Sequence, residues 1–424
     1  MKFALRDYQQ AASDAALSFF QSPSDRNGLL IIPTGGGKSI VIADIAFRLD
    51  SSLLVLQPSR EILSQNFAKL KSYGVDDCSI YSASFNSKKI SKITFATIGS
   101  IMGHIEDFNH FQYILIDEAH GVNVTEGQYK EFITKVKRKV LGLTATPYRL
   151  TTTLQYLDKN GRQIFRPKGE NESKEFDDKI MRHEITMENK CILKFLTRTR
   201  PRIFHDVVFQ IDISTLLSRG YLAKVDYFDL SIIDQRKIKR NSTGRDFDDT
   251  ALSEEFRQTN FGTYLLSIVQ LLLRPKNGTQ RRGILVFTKF LDECQALCKS
   301  LPSCAMVSGA TPKKEREEIL DNFKMGCIDV LVNVGILTTG FDYPELDTIV
   351  MARPTMSLAL YYQIVGRALR PHPSKESSWF VDLAGNIKRF GKVEDLHLVE
   401  PNPGEYLITG SVNGTTKALT NTYF

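Results

Sequence analysis

Apolar residues gather in short blocks along this chain, separated by polar or glycine-bearing segments. Residues 29–32, 53–56, 93–98, 113–116 and 140–143 carry few polar side chains, as expected for strands buried on both faces. Between the blocks the apolar period lengthens to that of a helix. Residues 9–20 carry a stripe through Ala12, Ala16, Phe19 and Phe20, and 40–49, 61–73 and 128–136 also read as helices. Strands alternating with helices predict a mostly parallel sheet covered on both faces, an α/β lobe spanning residues 1–149.

The alternation lapses over residues 150–205. Residues 169–175 are polar and charged and predict a surface loop. Lys190, Lys194, Arg198, Arg200 and Arg202 follow, interleaved with Phe195 and Phe204, with no acid between Lys190 and Arg202. We read the segment as an insertion between lobes; its basic run suits a solvated face and a nucleic-acid contact equally. A second alternating series then predicts strands at 225–230, 284–288, 305–308, 330–334, 348–352 and 379–383, with helices at 264–273, 292–301 and 313–324. Thr311 before Pro312 reads as a helix start. Residues 206–398 therefore form a second lobe built like the first, and 399–424, rich in Pro, Gly, Thr and Asn, form a short tail.

Composition narrows this only a little. With 42% hydrophobic and 24% charged residues the chain is ordinary for a globular protein, and its net charge of +7 leans toward a polyanionic partner without deciding for one. The first residues lack the apolar core of a secretory signal, and no apolar run is long enough to cross a bilayer, so an intracellular protein with no membrane partner is expected. Cys78, Cys191, Cys294, Cys298, Cys304 and Cys327 form no Cys-x-x-Cys pair and have no His at ligand spacing. They are expected to be reduced and largely buried thiols, without zinc.

Two constellations carry chemistry. After the strand at 29–32 comes Pro33-Thr34-Gly35-Gly36-Gly37-Lys38-Ser39, then a helix. Glycines let backbone N–H groups close on phosphate oxygens, and the helix aims its positive end at the same place. Lys38 is placed for the β- and γ-phosphates of a nucleotide, and the Ser39 hydroxyl for Mg²⁺. Ile32 stands where the longer phosphate-loop pattern has glycine, so the match is to the shorter Thr-Gly-x-Gly-Lys-Ser form. The strand at 113–116 delivers Asp117 and Glu118 at its C-terminal end, where ligands bind in open α/β sheets. Asp117 suits Mg²⁺, and Glu118 suits orienting and deprotonating the attacking water.

These motifs, Asp117-Glu118-Ala119-His120, Thr144-Ala145-Thr146-Pro147, Thr338-Thr339-Gly340-Phe341-Asp342 and Gln363-Ile364-Val365-Gly366-Arg367-Ala368-Leu369-Arg370 occur in the order seen in superfamily 2 helicases of the DEAD/DEAH-box kind. The chain resembles that family from Leu5 to about Leu398. It is most similar to the bacterial RadD-like DNA-repair ATPases, sharing Leu5-Arg6-Asp7-Tyr8-Gln9, residues 145–150 and residues 333–342. It has Ala119 where Cys is expected in that relative, and the cysteine-rich C-terminal extension of that relative is expected to be missing.

The resemblance implies two RecA-like lobes with an ATP cleft between them. It implies that Gln9, beside Arg6, reads adenine, and that Thr34 to Ser39, Gly340 and Asp342 hold the nucleotide. Arg367 and Arg370 correspond to arginine fingers and Gln363 to a positioning residue. His120, Thr144 and Thr146 correspond to groups that couple ATP state to the bound strand, and Arg60, Thr97, Thr288 and Thr338 to strand contacts. The implied protein is bacterial or phage-like: an ATP- and Mg²⁺-dependent translocase on single-stranded, duplex or branched DNA, acting in repair, recombination or replication. Recombination and single-strand-binding proteins are its candidate partners. An RNA helicase or remodeller stays open, because nothing excludes recognition of the 2′-hydroxyl. An ATP-switched accessory subunit with little turnover is the other alternative.

Overall fold

The computed structural model of the protein describes residues 4–167, 169–275, 278, 280–337, 341, 343–412 and 414–420. The first lobe holds β1 (Gly28–Ile31), β2 (Leu53–Gln57), β3 (Cys78–Ser82), β4 (Ser87–Lys88), β5 (Ile93–Thr97), β6 (Tyr113–Ile116) and β7 (Lys139–Thr144). Alternate side chains feed two layers. Leu29, Leu54, Leu56, Ile114 and Ile116 face one core, while Leu30, Val55, Leu115, Leu141 and Leu143 face the other. This two-sided burial is why the strands read as nearly unbroken apolar blocks.

The segment expected to be irregular is built on a long hairpin. β8 (Tyr148–Leu157) pairs antiparallel with β10 (Thr186–Phe195) along its whole length, and β9 (Gln163–Ile164) adds a short third strand. Polar residues such as Thr151 and Gln155 hid β8 from a search for apolar blocks. The loop expected at 169–175 is mostly the start of a helix, Glu170–Met181. Phe176 packs edge-on against Tyr156 at 5.0 Å, and Glu175 pairs with Lys179 at 2.8 Å, so one aromatic anchor and a helical ion pair outweigh a polar composition.

The lobe boundary expected at residue 206 is also corrected. β11 (Asp206–Gln210) runs parallel to β1 as the edge of the first sheet, giving the order β11-β1-β7-β6-β2-β5-β3-β4, in which only the β3–β4 pair is antiparallel. Asn27 secures that edge: its amide donates to the Ile203 carbonyl at 3.1 Å, and its carbonyl oxygen accepts from the Val140 N–H at 2.9 Å.

The second lobe is a parallel sheet of β12 (Lys224–Asp229), β13 (Ile284–Thr288), β14 (Cys304–Ser308), β15 (Val330–Val334), β16 (Thr348–Met351) and β17 (Ser377–Asp382), ordered β12-β17-β16-β13-β15-β14. Its helices Phe261–Leu273, Leu291–Ser300 and Lys313–Lys324 lie where the apolar period placed them. Pro312 rather than Thr311 caps the last; the Thr311 hydroxyl accepts instead from the Ser308 N–H at 2.9 Å. The tail forms an antiparallel sheet of β18 (His397–Asn402), β19 (Glu405–Val412) and β20 (Thr415–Ala418). It touches the insertion as well as the second lobe: Tyr406 packs on Phe195 with ring centres 5.7 Å apart, and Val412 joins the core around Phe390.

Of the described free thiols only Cys294 is buried; Cys327 is exposed, and Cys78, Cys298 and Cys304 are half-buried. Among the described residues no helix is long and apolar enough to cross a membrane.

Gly142, on β7 between β1 and β6, tests the packing of the first lobe. A methyl group there would lie 2.7 Å from the Ala119 side chain and 2.8 Å from Phe204. Gly142→Ala is expected to lower the stability of this lobe by about 1–3 kcal/mol, read from chemical denaturation.

Candidate active site

The loop after β1 turns on Gly35 and Gly37, both with left-handed φ, 81° and 78°, and Gly37 caps the helix Lys38–Arg48. L-residues with a Cβ rarely take that conformation. The loop rests on the first helix, Asp7–Gln21: the Tyr8 hydroxyl donates to the Gly36 carbonyl at 2.8 Å, and the Gln9 amide to the same oxygen at 3.2 Å. The Gln9 carbonyl oxygen accepts from the Arg6 N–H at 3.0 Å. Gln9 is buried, and here it braces the phosphate loop. Arg6 lines the cleft, with its guanidinium 4.4 Å over the Tyr221 ring.

Facing the loop, β6 delivers Asp117 and Glu118. Glu118 sits in the left-handed region, φ 51°, a strained backbone that helps aim its carboxylate. Its Oε1 lies 3.0 Å from Lys38 Nζ and its Oε2 3.3 Å from His120 Nδ1. Burial alone would raise the Glu118 carboxyl, but Lys38 and His120 together outweigh it and hold the group well below the usual carboxylate range. Asp117 goes the other way, pushed up to about 6 by burial and then by the charge of Glu118.

Asn66 is a residue the motif reading missed. Buried on the helix Arg60–Lys71, it donates to Asp117 Oδ2 at 2.9 Å and to Gln57 Oε1 at 3.0 Å, while the Glu118 N–H donates to Asp117 Oδ1 at 2.9 Å. A carboxylate has about four acceptor sites, so Asp117 keeps lone pairs for a cation. The sequence carried a signal: Asn66 occupies a core position of its helix, between Leu63 and Leu70.

The second lobe closes the cleft with the helix Leu358–Ala368. Gly366 packs on the Thr34 side chain so closely that an added methyl would lie 2.7 Å from Thr34 Cβ, and the Tyr362 hydroxyl reaches the Thr34 backbone. The Gln363 amide donates to His120 Nε2 at 3.1 Å, which in the neutral ring leaves the proton on Nδ1, facing Thr144 Oγ1 at 3.1 Å. Thr144 Oγ1 also accepts from the Thr146 N–H at 3.0 Å, so His120, Thr144 and Thr146 form one network. Arg367 and Arg370 donate to the Phe341 carbonyl at 2.8 and 3.4 Å. Burial lowers each to about 10, which leaves both cationic at neutral pH. Lys38, Ser39, Asp117, Glu118, Gln363, Arg367 and Arg370 thus line one cleft of about 360 Å³.

The expected strand contacts divide. Arg60 is exposed, donates to the Ser84 carbonyl at 2.6 Å and lies 4.7 Å over the Phe85 ring. Thr97 meets the Ser82 and Ser100 hydroxyls at 3.1 and 2.9 Å. Thr288 is fully buried and bonded to Cys294 Sγ at 2.9 Å, so it cannot touch a strand in this conformation. Thr338, Gly340 and Asp342 lie outside the described residues.

Comparison with known proteins agrees with this geometry. Residues 2–149 match the family described as Type III restriction enzyme, res subunit, and residues 264–372 match the helicase conserved C-terminal domain. The chain is 26% identical over 407 residues to the candidate ATP-dependent helicase IRC3 of Saccharomyces cerevisiae, covering 90% of this chain and 51% of that one. It is 25% identical over 372 residues to the DNA 3'-5' translocase XPB2 of Sulfurisphaera tokodaii, covering 87% and 79%. Among solved structures, the ATP-dependent Type ISP restriction-modification enzyme LlaBIII bound to DNA superposes with a TM-score of 0.57 at 18% identity, covering 91% of this chain and 28% of that one. The chain carries two RecA-like lobes, the first holding the res-subunit match and the second the helicase C-terminal match. It spans about half the length of IRC3.

Replacing Asn66 by Ala removes two hydrogen bonds that orient Asp117 and Gln57. The expected result is a rise of about tenfold in the Mg²⁺ concentration for half-maximal ATP hydrolysis, within the loss typical of groups that orient metal ligands, in a Mg²⁺ titration at fixed ATP.

Proposed function

We propose that this chain is a nucleic-acid-dependent ATPase that translocates on DNA and remodels or unwinds it, in repair, recombination or replication, close to the RadD-like branch. The observation that carries the reading is the convergence of Lys38 and Glu118 from one lobe with Arg367 and Arg370 from the other on a single cleft. A site that only binds nucleotide needs no general base. The likeness to a DNA translocase over most of this chain supports DNA over RNA.

The residues divide the chemistry. In the arrangement seen here Lys38 neutralises Glu118. Phosphate oxygens arriving in the glycine loop compete for Lys38, which releases the Glu118 carboxylate to accept a proton from water. Ser39 and Asp117 fit a Mg²⁺ ion, which when bound screens the charge on the phosphates. Arg367 and Arg370 have planar, permanently charged forks suited to the charge that builds on the transferring phosphoryl group. Because they belong to the second lobe, hydrolysis depends on closure, and reopening afterwards shifts the lobes along a bound strand. The contacts His120–Gln363 and Thr34–Gly366 let one lobe sense the other.

Two measurements test this. Steady-state ATPase at fixed low salt, with single-stranded, duplex and forked DNA and with single-stranded RNA, is expected to show strong stimulation by DNA; equal or greater stimulation by RNA would overturn the DNA assignment. Glu118→Gln is expected to lower turnover by about 10²–10⁴-fold while nucleotide binding persists, and retained turnover would exclude Glu118 as the base.

A further inference from the structure

Arg149 on β8 stands directly opposite Lys194 on β10. Like charges facing each other across an antiparallel pair repel. Both side chains are half-buried, and among the described residues neither is held in an ion pair. Among the described residues Arg149 Nη1 is buried without a hydrogen-bond partner, an arrangement that costs free energy. Further cations surround the pair. Arg198 and Arg200, just past the end of β10, act on Lys194; Arg245, from the second lobe, acts on Arg149. Burial first, and these neighbours second, push the Lys194 ammonium and the Arg149 guanidinium below their ordinary ranges. Against them stands Glu405, 3.6 Å from Arg198.

We infer that Arg149, Lys194, Arg198 and Arg200 at the base of the hairpin form a binding site for the phosphate backbone of a nucleic-acid strand. This rests on the reading of the chain as a nucleic-acid motor and extends it from Arg149, in a stretch shared with the resemblance, to Lys194, Arg198 and Arg200 outside it. Arginine forks pair bidentately with phosphate, and a site built of cations on backbone and loop binds without reading bases.

The test uses the full chain and a fluorescent oligothymidylate of about twenty nucleotides, long enough for a strand-tracking groove, with binding followed by anisotropy across a salt series. The double variant Arg149→Gln, Lys194→Gln is expected to bind about tenfold more weakly at fixed salt. Each lost phosphate contact is expected to reduce the slope of log affinity against log salt by roughly 0.7. The ratio of strand-stimulated to basal ATPase should fall with it. Arg200→Gln, at an exposed position that leaves the core untouched, should by itself reduce the slope by roughly 0.7. Wild-type affinity and slope in both variants would overturn the inference and leave the motor reading standing. A wild-type chain that binds no strand at any salt would overturn both.

Discussion

The contact on which the site depends is the ion pair between Lys38 and Glu118, 3.0 Å apart on facing walls of the first lobe. Lys38 opens the helix after the phosphate loop, and Glu118 sits at the end of β6, so the pair exists only because β1 and β6 flank β7 in one parallel sheet. Each wall is braced from behind: Tyr8 and Gln9 hold the loop through the Gly36 carbonyl, while Asn66 and His120 hold the two carboxylates. Adjacent buried carboxylates repel, and here one lysine and one histidine shift the burden. Glu118 stays ionised while Asp117 rises to about 6. A cation beside Asp117 would relieve the remaining strain, which accounts for two acids standing at one strand end.

The second lobe completes the site through few but close contacts. Gly366 meets Thr34 where a larger residue would push the lobes apart, and Gln363 reaches His120. The arginines on the same helix are tied to the Phe341 carbonyl, so their forks are already ordered before phosphate arrives. A small glycine contact and an exchangeable hydrogen bond suit a joint that opens and closes. The insertion and the tail sheet meet through Phe195 and Tyr406, which links the hairpin from the first lobe to the end of the second.

Strands with two covered faces were legible as apolar blocks, and the helices between them as apolar stripes, because burial dictates composition directly. The hairpin β8–β10 and the edge strand β11 were not, since strands with an open side or edge keep polar residues. Helix Glu170–Met181 was hidden in the same way, its single anchor Phe176 being too little to mark a stripe. In the site, glycine, lysine and paired acids were legible because phosphate and metal chemistry restricts the residue type. Thr288 shows the limit: a hydroxyl in a motif can turn toward solvent or toward its own fold, and here it turns inward.

By itself, then, the sequence determined two α/β lobes, a phosphate loop after the first strand and an acid pair after a later one, because these follow from local periodicity and from residue chemistry. Tertiary structure decided which lobe residues 206–210 belong to, that Asn66 orients Asp117, and that Arg149 and Lys194 face each other. Those facts depend on strand order and register. Such distances join residues far apart in the chain, and no local pattern records them.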